Sequence, residues 1–368
     1  MNGGHKPVIH TRRGVDVAGE GDRRLDYIDG LRLVGAGAVV VQHLFERFPA
    51  PWAQALILPA PGVFGVVLFF MISGFVIPFS LRHGVDVRAF AIRRVARIYP
   101  VYLVVLAMVV LFGLLDVAPY FRSVVDAGPG AWVANLLLIQ DFVQAKSFYS
   151  VSWTLAIEFI WYALFLILLK SAGDRAGIIS AIAAPLVMVA LAIASLAIDT
   201  RIPLGRPGML YAAVFGYQAY RHLQGETSRR AWHASIAAFA LVMLASNVVA
   251  FGYFRHPNIT LMQAIGPWSA ALLLFVVVLA APALQRILAA PRIAAIGVAS
   301  YSIYMVHPLA IALAVHLRAP VLVVPAALAL TTGLALLSYR FVELPGIRLG
   351  RALSTRRQIP VRPAAALS

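Results

Sequence analysis

The sequence has no cysteine in its 368 residues. That removes disulfides, thiolate metal sites and any thioester carried on the protein, so a covalent mechanism would have to run through serine, histidine or a carboxylate. Acidic residues are also scarce: 15 Asp and Glu stand against 31 Lys and Arg, a formal charge of +16. Charges of both signs make up 12% of the chain, about half of what a soluble domain carries. There is no His-x-x-x-His pair and no glycine-rich loop ahead of a lysine, so neither a metal site nor a phosphate-cradling loop is expected. No internal repeat is visible, and residues 1–25 are too polar for a secretory signal, which makes the first apolar run a retained anchor.

What is present is apolar surface. With 61% hydrophobic residues and a mean hydropathy of +0.84, the chain reads as an all-α polytopic membrane protein. A crossing needs about 20 mostly apolar residues. Ten runs qualify: 27–46, 61–81, 98–115, 153–170, 177–198, 207–222, 232–252, 262–282, 299–317 and 320–341. The run 131–143 is too short to cross and is expected to lie in the interface or re-enter. Domain limits follow as a mobile tail over 1–25, a membrane domain over 26–345 and a basic tail over 346–368.

The basic residues sit in short runs between spans, where orientation is read, which argues against nucleic acid as a partner. With the N-terminus inside, inner segments hold 24 Lys and Arg and outer segments 7. That bias places both termini in the cytoplasm. Arg32 then lies at the cytoplasmic mouth of the first span and His43 in its outer half.

The stretch 29–43, DGLRLVGAGAVVVQH, carries these two residues on one helix face, roughly 16 Å apart along the axis. Ionisable side chains inside a span are costly and are functional candidates by default. His43 is read either as a general base or acyl-carrying nucleophile, or as packing glue bonded to a neighbouring helix. Arg32 either snorkels or serves a site, with Asp29 at i−3 as a local partner.

Four other segments carry polar candidates. FAIRRVARIYPVY (90–102) holds Arg93, Arg94 and Arg97 just before the third span. They are either a cytoplasmic anchor, or Arg94 and Arg97 at i and i+3 clamp a polyanion. In the second span Ser73 and Gly74 follow a Phe pair, with close helix packing the simpler reading since no nucleophile elbow surrounds the serine. SVSWTLAIEFIWYALF (150–165) opens near Trp153 and carries Glu158 inside an apolar helix with Tyr162 at i+4, a carboxylate that must pair, bond or protonate. Near the C-terminus Tyr301 and Tyr304 line a cavity or belong to an interface belt, His307 before Pro308 reads as packing, and Glu343 is expected to pair with neighbouring Arg340.

Taken in order, DGLR (29–32) followed by His43, LFFMISGF (68–75), RRVARIYP (93–100), SWTLAIEF (152–159), ASYSIYMVHP (299–308) and RFVELP (340–345) resemble the acyltransferase-3 family of integral membrane acyltransferases. Any one piece is weak; six in order are specific. The resemblance implies about ten helices with both ends inside, and transfer of an acyl group, often acetyl, from cytoplasmic acyl-CoA to a hydroxyl acceptor. It puts His43 in the catalytic position, Arg32 in that of the first-helix arginine, and Arg94 with Arg97 in the R-x-x-R motif. Glu158 and Glu343 fall on recurrent acidic positions. Two departures bear on the acceptor: Val66 and Val67 stand where many members have an acidic residue, and the sequence stops at residue 368 where some members carry a hydrolase-like domain.

The expected activity is therefore membrane O-acylation of a glycan or glycosylated metabolite, with acyl-CoA as donor and no metal. Catalysis is assigned to His43 and Glu158, and donor binding to Arg32, Arg94 and Arg97. Asp29, Ser73, Trp153, Tyr301, Tyr304 and Glu343 are read as support. The expected location is a bacterial inner membrane, in keeping with the Ala, Val and Arg richness of a high-GC genome. A transporter or flippase is the competing reading, since midplane charges are expected there too, but no inverted repeat is apparent. A non-catalytic membrane sensor would account for the spans and leave their charges without a role.

Overall fold

The computed structural model describes residues 20–81, 84–117 and 119–355. Among them the chain folds into sixteen α-helices, with an isolated bridge between His256 and Ile259 as the sole β pairing. The first six are α1 (Glu20–Phe45), α2 (Pro51–Ile57), α3 (Pro61–Ser80), α4 (Val87–Leu114), α5 (Pro119–Val125) and α6 (Pro129–Leu136). Then come α7 (Trp153–Ala172), α8 (Ala176–Ala197), α9 (Gly205–Leu223), α10 (Arg229–Asn247) and α11 (Leu261–Ala280). The last are α12 (Pro282–Leu288), α13 (Pro291–Gly297), α14 (Ser300–Ala314), α15 (Pro320–Ser338) and α16 (Leu344–Thr355). Prolines open α2, α3, α6, α12, α13 and α15, where the missing N–H has no intrahelical partner to lose.

Each of the ten predicted runs falls on one long helix, whereas length and composition alone single out eight stretches able to cross a bilayer. The difference has two physical sources. Trp153–Ala197 is a 45-residue helical stretch, about twice what one crossing needs, and holds both α7 and α8 around a turn where Gly173 takes φ +51°. α9 is too polar to count on composition because it turns Gln218 and Arg221 inward. There Gln218 donates to the Gly177 carbonyl and to Ser180 Oγ, while Arg221 bonds Gln218 and Glu226.

The centre of the bundle is α3, which packs against α1, α9 and α11. Its sequence explains why: Leu68, Phe70, Met71, Ile72 and Phe75 are all buried, and small residues set the spacing. A methyl group on Gly65 would collide with the Gly35 carbonyl of α1, and one on Gly216 of α9 with the Met71 carbonyl. Close backbone approach of this kind is how helices associate where lipid removes the hydrophobic drive. The outside is apolar as well: Ile167, Leu186, Ile193, Leu241, Leu273 and Val321 are each at least 60% exposed. Such a surface is at home only in lipid, and helices tolerate it because their backbone groups are paired internally.

Two boundaries differ from the sequence expectation. α4 begins at Val87, ahead of the run expected to cross, and carries Arg93, Arg94 and Arg97 on its first turns; the Asp86 side chain accepts from Ala89 N and caps this start. The helix also continues past 345, because α16 docks on α4 with Gly346 against the Ala96 carbonyl. What was expected to begin a tail at 346 is thus packed as far as Thr355; residues 1–19 and 356–368 of the expected tails lie outside the described residues. In the 131–143 region α6 is only eight residues long. The chain after it is folded back by Asn135, which donates to Ala131 O and Lys146 O and accepts from Phe148 N.

Candidate functional site

Five helices, α1, α3, α4, α7 and α14, enclose a cavity with about 830 Å³ of empty space, counting the solvent at its open mouth. α1 contributes Arg32, and α4 contributes Arg94 and Arg97. From α7 come Thr154, Glu158 and Tyr162; from α14, Ser300, Tyr301 and Tyr304. The wall of α3 is apolar, with Val66, Phe69, Phe70 and Ile77, interrupted by Ser73, whose hydroxyl is buried without a partner among the described residues.

The three arginines are held in different ways. Arg32 Nη1 meets Asp29 Oδ1 at 2.6 Å, the i−3 pairing expected from the sequence. Arg97 Nε lies 3.8 Å from Glu343 Oε1. The expected pairing of Glu343 with Arg340 is therefore corrected. A π-helical turn over Tyr339–Glu343 shifts the register and swings the carboxylate inward, where it is fully buried and accepts from Ser302 Oγ at 2.8 Å. Arg94 has no carboxylate within ion-pair distance among the described residues. Its guanidinium instead sits over Phe90 and Tyr162, 5.1 and 5.5 Å from the ring centres, and donates to Ser80 Oγ at 3.2 Å.

Arg32 and Arg97 thus each have a carboxylate behind them, while Arg94 presents the least compensated charge to the cavity. Glu158 accepts from Tyr162 Oη, so its i+4 neighbour is its partner. Tyr301 donates to the Ile98 carbonyl and ties α14 to α4. Trp153 opens α7 half-buried against the core and does not line the cavity.

His43 does not line it either. The cavity ends at Phe69 and Tyr304, whose rings meet edge to face at 5.8 Å. The Tyr304 hydroxyl lies 2.9 Å from Thr154 Oγ1 and donates to Val151 O. Beyond Tyr304 comes His307, ring centres 5.9 Å apart, and then His43, 5.2 Å from His307. On its other side His43 Nδ1 faces Glu46 Oε2 at 3.8 Å, and Glu46 accepts from Gln42. The His43 side chain is 31% exposed and Glu46 44%, so this end of the site opens outward. The two residues assigned to catalysis are thereby separated: Glu158 belongs to the arginine end and His43 lies past Tyr304.

The sequence reading assigned no role to Glu46, Ser302 or Ser80, and treated His307 as packing. Glu46 had a signal, the i+3 spacing of His-Leu-Phe-Glu. The contacts of Ser302 and His307 are between distant segments and have none. Among the described residues no cluster of three His, Asp or Glu comes together as a metal site would need.

A multi-pass helical membrane protein is defined by these features, with an arginine-lined cavity at one end of its first helix and a histidine pair at the other. The family described as acyltransferase domain matches residues 25–340, and the chain belongs to this acyltransferase-3 family. It is 34% identical over 152 residues to acyltransferase MdmB of Streptomyces mycarofaciens, covering 39% of this chain and 38% of that protein. It is 27% identical over 162 residues to nodulation protein 10 of Rhizobium leguminosarum bv. viciae, covering 39% of this chain and 43% of the relative. The matched parts thus span about two fifths of these relatives. No solved structure matches the chain significantly.

Proposed function

We propose that the protein is a membrane O-acyltransferase that moves an acyl group, acetyl in the first instance, from acyl-CoA to a hydroxyl of a glycan or glycosylated metabolite. The observation that carries this reading is the arrangement along α1: Arg32 faces a cavity shared with Arg94 and Arg97, and His43 stands further along the same helix, beyond the cavity lining. Guanidinium groups in a partly apolar cavity suit a phosphate-bearing donor with a long neutral arm. An imidazole open to the opposite side suits a hydroxyl acceptor.

The chemistry needs few groups. His43 takes the acceptor hydroxyl proton on a bare ring nitrogen, and the oxygen bonds the acyl carbon. The carbon–sulfur bond then breaks, and the proton passes from His43 to the departing thiolate. In the carrier variant the imidazole itself holds the acyl group between donor and acceptor. Either way the thioester has to pass Phe69 and Tyr304, which close the cavity toward His43. Glu158, held by Tyr162 at the arginine end, adjusts the charge that the donor meets; it is not the partner of His43. Ser73 offers its unpartnered hydroxyl to the donor arm.

The 24 to 7 bias of basic residues supports placing Arg32 at the cytoplasmic face and His43 toward the outside of a bacterial inner membrane. Donor and acceptor would then reach the site from opposite sides. The test is comparative mass spectrometry of surface glycans and small metabolites from cells with and without the gene, combined with label transfer from acetyl-CoA in isolated membranes. A lost acyl mass with gene-dependent transfer is expected. Substrate accumulation in vesicles without any acyl donor would point to a transporter instead.

A further inference from the structure

We propose that His307 is a positioning residue for His43, an inference that rests on the function proposed above. His307 is fully buried; the backbone of Ile303 and Tyr304 lies near its ring, yet among the described residues neither ring nitrogen makes a well-formed hydrogen bond. A buried imidazole left this way is costly, so its place in α14 calls for a reason. The ring it faces is that of His43, with centres 5.2 Å apart and planes at 63°. The rings meet edge to face, so a rotation of one ring is needed to make an N–H to N hydrogen bond between them.

A histidine that acts as base works best when one nitrogen is bare and the other donates its N–H to a fixed acceptor, which sets tautomer and orientation. Two groups flank His43. Glu46 faces the Nδ1 edge across 3.8 Å and is itself 44% exposed, so solvent competes for it. His307 is shielded and held in place, because α14 is clamped just ahead of it. The Tyr304 hydroxyl donates to Val151 O, and the Tyr149 hydroxyl donates to Met305 O. The proposal assigns the other edge of His43 to His307, which accepts its N–H. The Nδ1 edge beside Glu46 is left for an acceptor arriving from the exposed side. During transfer the proton taken at Nδ1 makes His43 an imidazolium that the His307 nitrogen stabilises, and His307 ends each turnover unchanged.

The charged and titratable groups acting on this pair are few. From the turn after α1 they are Glu46 and Arg47; from α14, Tyr304; from the segment ahead of α7, Tyr149. α2, α3 and α15 contain no ionisable side chain. A change in pH profile on altering His307 therefore reports on His43, provided that Glu46→Gln is run as a control.

The experiment compares His307→Leu and His307→Gln with the unaltered protein in label transfer from acetyl-CoA, across pH. His307→Leu should lower kcat about tenfold to a hundredfold, a share of what general-base catalysis contributes, with KM for acetyl-CoA unchanged. Loss of the acceptor for the His43 N–H should also move the acidic limb of the profile to lower pH. His307→Gln, which supplies an acceptor oxygen, should recover the limb and part of the rate. The inference is overturned if His307→Leu keeps the original limb, or if Gln is as defective as Leu when both variants bind acetyl-CoA normally. If His307→Leu does not fold, the limb of His307→Gln measured against His307→Asn decides by the same criterion. Retained transfer in His43→Ala would sink the parent proposal, whereas a dead His43→Ala with an unshifted His307→Leu would sink this inference alone.

Discussion

Glu343 offers the most quantitative test of the cavity's electrostatics. Its carboxylate is fully buried, accepts from Ser302 Oγ at 2.8 Å and lies 3.8 Å from Arg97 Nε. Replacement by alanine removes the partner of one buried charge and the acceptor of one buried hydroxyl. Breaking a buried ion pair from one side costs about 3–5 kcal/mol, and Arg97, 29% exposed toward the cavity, recovers part of that from solvent. The lower end, about 3 kcal/mol, is therefore expected for Glu343→Ala. In a chain of this size that corresponds to roughly 5 °C in the midpoint of thermal unfolding.

Glu343→Gln keeps the volume and the bond from Ser302 and removes only the charge, so it should lose about half as much. It should also leave Arg97 less compensated and lower KM for acetyl-CoA. The assay is thermal unfolding of purified protein in detergent, with a double-mutant cycle on Arg97→Met and Glu343→Gln to isolate the pair. A coupling of at least about 1 kcal/mol is expected for a pair this shielded. Glu343→Ala as stable as the unaltered protein, or a cycle that closes to zero, would refute the reasoning.

Other perturbations follow from the same geometry. Arg94→Ala should raise KM for acetyl-CoA about tenfold to a hundredfold, the worth of one charge-assisted contact, and increasing salt should narrow the gap; steady-state kinetics measures both. Tyr304→Phe removes the hydroxyl that holds Val151 O, which Thr154 Oγ1 still bonds. It should cost about 1 kcal/mol in stability, read by thermal unfolding. Gly65→Val would drive a side chain into the Gly35 carbonyl and should abolish folded protein in the membrane, read as loss of a monodisperse peak in detergent chromatography.

The membrane class and the long helices were legible because they rest on apolar runs, and apolar runs are a property of local sequence. Arg32, Asp29, Glu158 and Tyr162 were legible for a related reason: their partners are one helical turn away. The apolar run at 98–115 marks only the later part of α4, because its first turns are polar and the Asp86 cap sets the start. Glu343 was paired with the wrong arginine because a π-turn changes which way a side chain points, and no spacing rule forecasts such a turn. His307 was read as packing since its neighbour, His43, is more than 260 residues away in the chain. The separation of Glu158 from His43 is likewise a matter of tertiary placement, which the shared motif order does not reveal.

The central claim is that α1 joins a donor-binding end at Arg32 to a transfer end at His43. It is tested most directly by measuring acetyl-CoA binding and label transfer on the same preparations of His43→Ala and the Arg94→Ala/Arg97→Ala pair. The account predicts that His43→Ala binds acetyl-CoA with unaltered affinity and transfers nothing, while the arginine variant loses binding. Full transfer by His43→Ala, or unaltered acetyl-CoA binding by the arginine variant, would contradict it.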